Sequence, residues 1–237
     1  MPIYTLTLHS KQEIAPNTMI FTFHKPEGFK FIPGQYGGFT LLNPPETDAG
    51  GITRRFSLLN TPQDDYIAFA TRIQSSAYKR VLNNLKLGDE MKFAGPAGNF
   101  VLHEDKTVPA VFIAGGIGMT PFYSILKAAA FEKSDRPMSL FYGNQSLEHT
   151  ILLNDLKQFA KELSNFQLVT SLVDTDSHWD GETGYITHTM LKKYISDLNA
   201  PIYYVCGSPS MVTAVQELLV EMGVAEDKIK VEDFPGY

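Results

Sequence analysis

The alternation of apolar and polar positions changes period near the middle of the chain. Over the first hundred residues, short runs rich in β-branched and aromatic side chains recur at 3–8, 19–23, 35–42, 54–59, 66–70 and 90–94. Groups such as Pro33-Gly34, Gly50-Gly51 and Asn43-Pro44-Pro45 punctuate them. That pattern predicts six strands of an antiparallel barrel or sandwich. One stretch departs from it: Tyr78, Val81, Leu82 and Leu85 recur at helical spacing within 75–85. From Val108 the rhythm is strand, helix, strand, helix. Apolar runs at 108–114, 138–143, 166–173, 201–207 and 229–234 alternate with helical patterns at 121–133, 150–163, 187–198 and 210–223. Five strands alternating with four helices predict a parallel sheet covered on both faces. The change of rhythm divides the chain into 1–103 and 104–237.

In open parallel sheets, ligands bind beyond the carboxyl ends of the strands. The stretch AGGIGMTPF (114–122) falls at such an end. Gly115, Gly116 and Gly118 would let a phosphate or ring approach the main chain without meeting a Cβ. Thr120 suits an N-cap and Pro121 the first helical position, leaving a helix N-terminus for an anion. The plain alternative is a tight strand-to-helix turn. A second carboxyl end carries Cys206, Gly207 and Pro209, with Ser210 placed to cap the next helix. Cys206 reads equally as a small buried hydrophobe. Asn144, after the second strand of this half, suits a ribose or an ordinary solvated turn. In the first half, TRRFSLLN (53–60) places Arg54 and Phe56 on one strand face, Arg55 and Ser57 on the other. An arginine fork suits a pyrophosphate and an aromatic suits a flat ring; an exposed arginine pair over a core phenylalanine is the alternative. Ser75 or Ser76 caps the lone helix, or Ser76 helps hold a phosphate.

Composition narrows the partners. The 237 residues suit one large or two modest domains, and 43% hydrophobic with 19% charged residues is ordinary for a globular chain. A net charge of -6 with no basic block argues against nucleic acid. The single cysteine excludes an internal disulfide and any all-cysteine iron–sulfur or zinc site within this chain. No basic-then-apolar leader and no apolar window of membrane-spanning length is visible, so a cytoplasmic location is expected.

Taken in order, RRFS, SSAYKRVLNNLKLGDEMKFAGPAGNF, AGGIGMTPF, FYGN, VCGSPSM and a terminal aromatic resemble the ferredoxin–NADP reductase superfamily over nearly the whole chain. The resemblance implies a flavin-binding antiparallel β-barrel followed by a doubly wound α/β domain with a parallel five-stranded sheet. It implies Arg54 and Ser76 on the FAD pyrophosphate, Phe56 against the flavin, and Ser57 near the flavin nitrogen that accepts hydride. The glycine turn through Thr120 and Pro121, with Asn144, Gly207 and Pro209, would take NADH or NADPH. Cys206 would lie beside the point of hydride transfer, Tyr237 over the flavin's other face, and Glu232 would feed protons. Gln145 stands where an arginine often anchors a 2′-phosphate, which favours NADH. The implied activity passes electrons from NAD(P)H through FAD to a small acceptor protein such as ferredoxin or flavodoxin, or to an oxygenase component. A free-flavin or ferric reductase, or an electron-transfer subunit needing a partner, are the alternatives.

Overall fold

The computed structural model describes residues 2–234. Its first half is a six-stranded antiparallel sheet of order β4-β3-β6-β1-β2-β5. The strands are β1 (Ile3–Ala15), β2 (Thr18–His24), β3 (Tyr36–Leu41), β4 (Thr53–Ser57), β5 (Tyr66–Arg72) and β6 (Glu90–Ala97). β1 runs well past the apolar run that predicts it. Residues 3–7 pair with β6, and the strand then continues through polar positions to pair with β2. The sheet curls until its edges meet beyond Ser57. There the Leu59 N–H donates to the Ala68 carbonyl (2.8 Å), and the buried Asn60 amide bonds both the Ala68 N–H (2.9 Å) and the Tyr66 carbonyl (2.7 Å). Phe21, Phe23, Phe39, Phe69 and Phe93 fill the interior. Helix α1 (Ala77–Asn84) buries Tyr78, Val81 and Leu82 against it, and the Tyr78 hydroxyl donates to the Phe39 carbonyl at 3.0 Å.

Residues 98–109 connect this barrel to the second sheet. The five strands expected there are β7 (Ala110–Gly115), β8 (Met138–Asn144), β9 (Phe166–Leu172), β11 (Ile202–Gly207) and β12 (Ile229–Asp233). A sixth, β10 (Glu182–Thr183), pairs with the end of β9. The order is β10-β9-β8-β7-β11-β12 and every pair is parallel. Alternate residues of β7 sort the core: Phe112 faces α2 (Thr120–Phe131) and α3 (Leu153–Glu162), while Val111 and Ile113 face α4 (His188–Tyr194) and α5 (Pro209–Glu221). The strand order reverses between β7 and β11, which makes their carboxyl ends the expected ligand crevice.

The two halves share one core. Leu59, Ala68, Ala70 and Phe100 of the barrel side join Phe112, Phe122, Ile125 and Tyr204 in a single buried cluster. Polar contacts reinforce it. Ser124 Oγ donates to the Asn60 carbonyl (2.6 Å), and Lys127 Nζ reaches both Asp64 oxygens (2.8 and 2.9 Å) and the Tyr66 hydroxyl (3.0 Å). No helix among the described residues is long and apolar enough to cross a membrane.

Candidate active site

Two cavities open along the barrel–sheet junction, and Ile117 lines both. The first, about 600 Å³, lies over the carboxyl ends of β7, β8 and β11. β7 ends at Gly115, and Gly116 turns the chain with φ +55 into a short 3₁₀ turn before α2. A φ in that region is one glycine adopts freely. The 3₁₀ turn changes the expected role of Thr120. Met119 occupies the N-cap position without a side-chain cap, and the Thr120 hydroxyl donates back to the Ile117 carbonyl at 3.0 Å. Pro121 sits in the first turn of α2, as its fixed φ favours. Ser210 is likewise not a cap: Ser208 Oγ accepts the Met211 N–H (3.4 Å) and Pro209 begins α5.

Two glycines of this turn are packed closely against their neighbours. A Cβ on Gly118 would lie 2.6 Å from the Cys206 carbonyl carbon and 2.7 Å from Gly207 Cα. A Cβ on Gly115 would strike Met211 Sδ. Their bareness therefore serves the seating of the turn against β11 and α5, and only Gly115 and Gly116 face the cavity. Asn144 and Gln145 complete its floor. The Gln145 amide donates to Asp174 Oδ2 at 2.6 Å, so a carboxylate, not a cation, stands at that end. Arg72 reaches in from β5, and the exposed Tyr185 with the partly buried Ile186 forms the rim.

The second cavity, about 710 Å³, lies between β4, β5, α1 and β12. It gathers Arg54, Phe56, Ser57, Ser76, Thr120 and Glu232, drawn from both halves of the chain. The Phe56 ring stacks on Phe69 (4.2 Å, 5°). The Arg54 guanidinium is held by the Gly50, Gly51 and Thr53 carbonyls, 3.6 Å from Asp48 and 5.0 Å over the Tyr78 ring. Ser76 caps α1, its hydroxyl accepting the Lys79 N–H at 3.3 Å. Ser57 Oγ and Glu232 Oε2 are buried without a hydrogen-bond partner among the described residues. Burial, then the neighbouring Asp233 charge, pushes the Glu232 carboxyl up to about 7.

Cys206 lines neither cavity. It is fully buried, between Ala114 of β7 and Glu232 of β12 in the sheet register. Burial first, and the Glu232 and Asp233 charges after it, push its thiol well above the ordinary range. The thiol stays protonated and is no nucleophile. Gly118, Pro121, Gly207 and Pro209 also line neither cavity; they shape the two strand-to-helix turns. Tyr237 lies outside the described residues. Sequence reasoning missed Lys79, Thr71, Arg72 and Met211. Lys79 follows Tyr78 directly in a helical pattern and reads there as one more solvated charge.

Comparison with known proteins accords with this layout. Residues 5–102 match the family described as oxidoreductase FAD-binding domain, and residues 112–217 that described as oxidoreductase NAD-binding domain. One component of the Na(+)-translocating NADH-quinone reductase of Idiomarina loihiensis is 32% identical over 204 residues, 84% of this chain and 48% of the relative. The same component from Pseudoalteromonas atlantica is 30% identical over 231 residues, covering 90% and 56%. The chain thus spans about half the length of these relatives. In fold it is similar to the flavohem-like FAD/NAD-binding domain of nitric oxide dioxygenase from Vibrio cholerae (TM-score 0.83, 22% identity, 97% and 98% of the two chains). It is also similar to a ferredoxin NADP+ reductase from Neisseria gonorrhoeae (TM-score 0.82, 18% identity, 98% of each chain).

Proposed function

Because the chain belongs to the ferredoxin–NADP reductase superfamily, with an FAD-binding and an NAD-binding half, we propose that it draws electrons from NADH and delivers them to a separate redox protein. The observation that carries this reading is the pair of cavities meeting at Ile117, at the switch point of the parallel sheet. Residues 1–103 act as the flavin module and 104–237 as the nucleotide module, working in the cytoplasm.

The residues of the second cavity fit a flavin. Ser57 Oγ and Glu232 Oε2 are buried polar atoms without a hydrogen-bond partner among the described residues, Phe56 offers an aromatic face, and Arg54 and Ser76 suit a phosphate. Bound FAD supplies the chemistry of hydride acceptance and single-electron release. The chain supplies position. Ser57 offers a hydroxyl to a ring nitrogen. Glu232 holds a proton below about pH 7 and releases it above, at the cavity wall. Ile117 and Phe234 keep that wall apolar. Cys206, protonated and buried, packs in the core rather than reacting. On the other side, Gly115, Gly116 and Asn144 would receive the nucleotide. The Gln145–Asp174 pair supports NADH over NADPH, since a 2′-phosphate there would meet a carboxylate.

The relatives named as parts of a larger reductase support an acceptor that is itself a protein; ferredoxin, flavodoxin and an oxygenase component are the candidates of suitable chemistry. Anaerobic mixing with NADH and with NADPH, followed by flavin absorbance, tests donor and prosthetic group together. Rapid bleaching by NADH is expected, with slower bleaching by NADPH. A colourless protein that neither FAD nor FMN reconstitutes would overturn the reading, and loss of all flavin on dialysis would favour a free-flavin reductase.

A further inference from the structure

The flavin-side cavity holds a cation that the sequence motifs do not account for. Lys79, in the first turn of α1, lines the cavity wall half-buried. Its ammonium donates to Thr71 Oγ1 of β5 and sits 4.7 Å over the Phe56 ring. No carboxylate lies within ion-pair distance of it among the described residues. The surrounding charges are otherwise engaged. Arg54 on β4 turns one guanidinium nitrogen to its loop carbonyls and lies 3.6 Å from Asp48 while still lining the cavity, and Asp48 also accepts the Ala77 N–H at 2.7 Å. Arg80, next on α1, pairs with Glu46. Arg55 leans over Tyr36 at 5.7 Å. Glu232 and Asp233 of β12 line the cavity without reaching Lys79. A cation removed from water without a counter-charge is costly, and an anion entering beside it removes that cost.

We propose that Lys79 is a specificity-determining residue of this cavity, its ammonium receiving the diphosphate of FAD alongside Arg54, so that FAD affinity depends on pH. This rests on the reading of the cavity as a flavin site. Burial first, and then the Arg54 charge, push Lys79 down to about 7. An anion beside it favours the ammonium and raises it again. Below pH 7 the group is charged with or without ligand. Above that, binding draws in a proton, and affinity falls by up to about tenfold per pH unit.

The test titrates flavin-free protein calorimetrically with FAD and with riboflavin, which carries the same ring without phosphates. K79M is expected to weaken FAD about 10- to 100-fold and riboflavin less than about threefold. In wild type at pH 8, FAD binding should take up nearly one proton more than in K79M, where Glu232 still titrates at the cavity wall, seen as different heats in Tris and HEPES. K79R keeps its charge at every pH, so its FAD affinity should fall less steeply between pH 6 and 9 than the wild-type value. Equal weakening of FAD and riboflavin, unchanged FAD affinity in K79M, or equal proton uptake by wild type and K79M would each overturn the proposal. Wild-type protein that binds no flavin at all would instead overturn the reading of the cavity, so the two failures are distinguishable.

Discussion

Replacing Gly118 by alanine probes how the nucleotide turn is seated. The new Cβ would stand 2.6 Å from the Cys206 carbonyl carbon and 2.7 Å from Gly207 Cα. Carbon atoms rest about 3.5–4.0 Å apart, so the turn must back away by about 1 Å. β11 cannot yield instead, because it is bonded to β7 on one side and β12 on the other. Overpacking of this kind costs about 1–3 kcal/mol. Gly115 is the internal control. Its added methyl meets the Met211 sulfur, the far end of an unbranched side chain that can swing aside into the cavity, so G115A should cost less than about 1 kcal/mol. Urea unfolding followed by circular dichroism reads the difference. At an unchanged slope, G118A should lower the midpoint by about 0.5–1 M and G115A by less than half of that. Because the displaced turn carries Ile117, which borders both cavities, G118A should also slow reduction by NADH more than G115A does. If G118A proves no less stable than G115A, the turn is not packed on β11 in the way described.

Other substitutions test separate parts of the argument. Glu232 sits at about 7 in the folded chain against 4.5 ordinarily, so the folded state binds the extra proton between those values and stability falls as pH rises across that window. E232Q should remove that slope and exceed wild type in urea midpoint above pH 7, with the two converging below about pH 5. Burial pushes the Asp64 carboxyl up, but hydrogen bonds from Lys127 and Thr61 outweigh it and hold it below its usual value. K127M strands that half-buried carboxylate and should cost about 1–2 kcal/mol of unfolding free energy, partly recovered in K127M/D64N. Q145R combined with D174N should raise the NADPH-to-NADH ratio of kcat/KM by about tenfold or more, since it exchanges a carboxylate for a fork that binds phosphate.

The fold was legible where burial imposes a period. Phe112 on one face with Val111 and Ile113 on the other made β7 readable as a strand buried on both sides. β10 was invisible because two residues, Glu182 and Thr183, carry no period at all. The polar second half of β1 was missed for a related reason: partner β2, not burial, keeps His9 to Glu13 extended. At the site, residue type pointed to Arg54, Phe56, Ser57 and Ser76, which do converge on one cavity. What a side chain faces was not legible. Gly118 and Cys206 share a motif with cavity-lining neighbours, yet Gly118 lies against the Cys206 and Gly207 backbone and Cys206 in the core. Lys79 shows the reverse, a helix residue of ordinary appearance that lines the cavity.

The cluster joining Phe100 to Phe122 (5.6 Å) and Tyr204 (5.7 Å) sets a limit on recombination. An exchange of halves with a relative at the connecting segment would bring together aromatic surfaces that had not been matched to each other. Such hybrids should fail in folding before they fail in redox chemistry, unless Leu59, Ala68, Ala70 and Phe100 travel with the partners they press against. Evolution of donor preference in this chain is therefore free at the rim, around Gln145 and Tyr185, and tied at the seam.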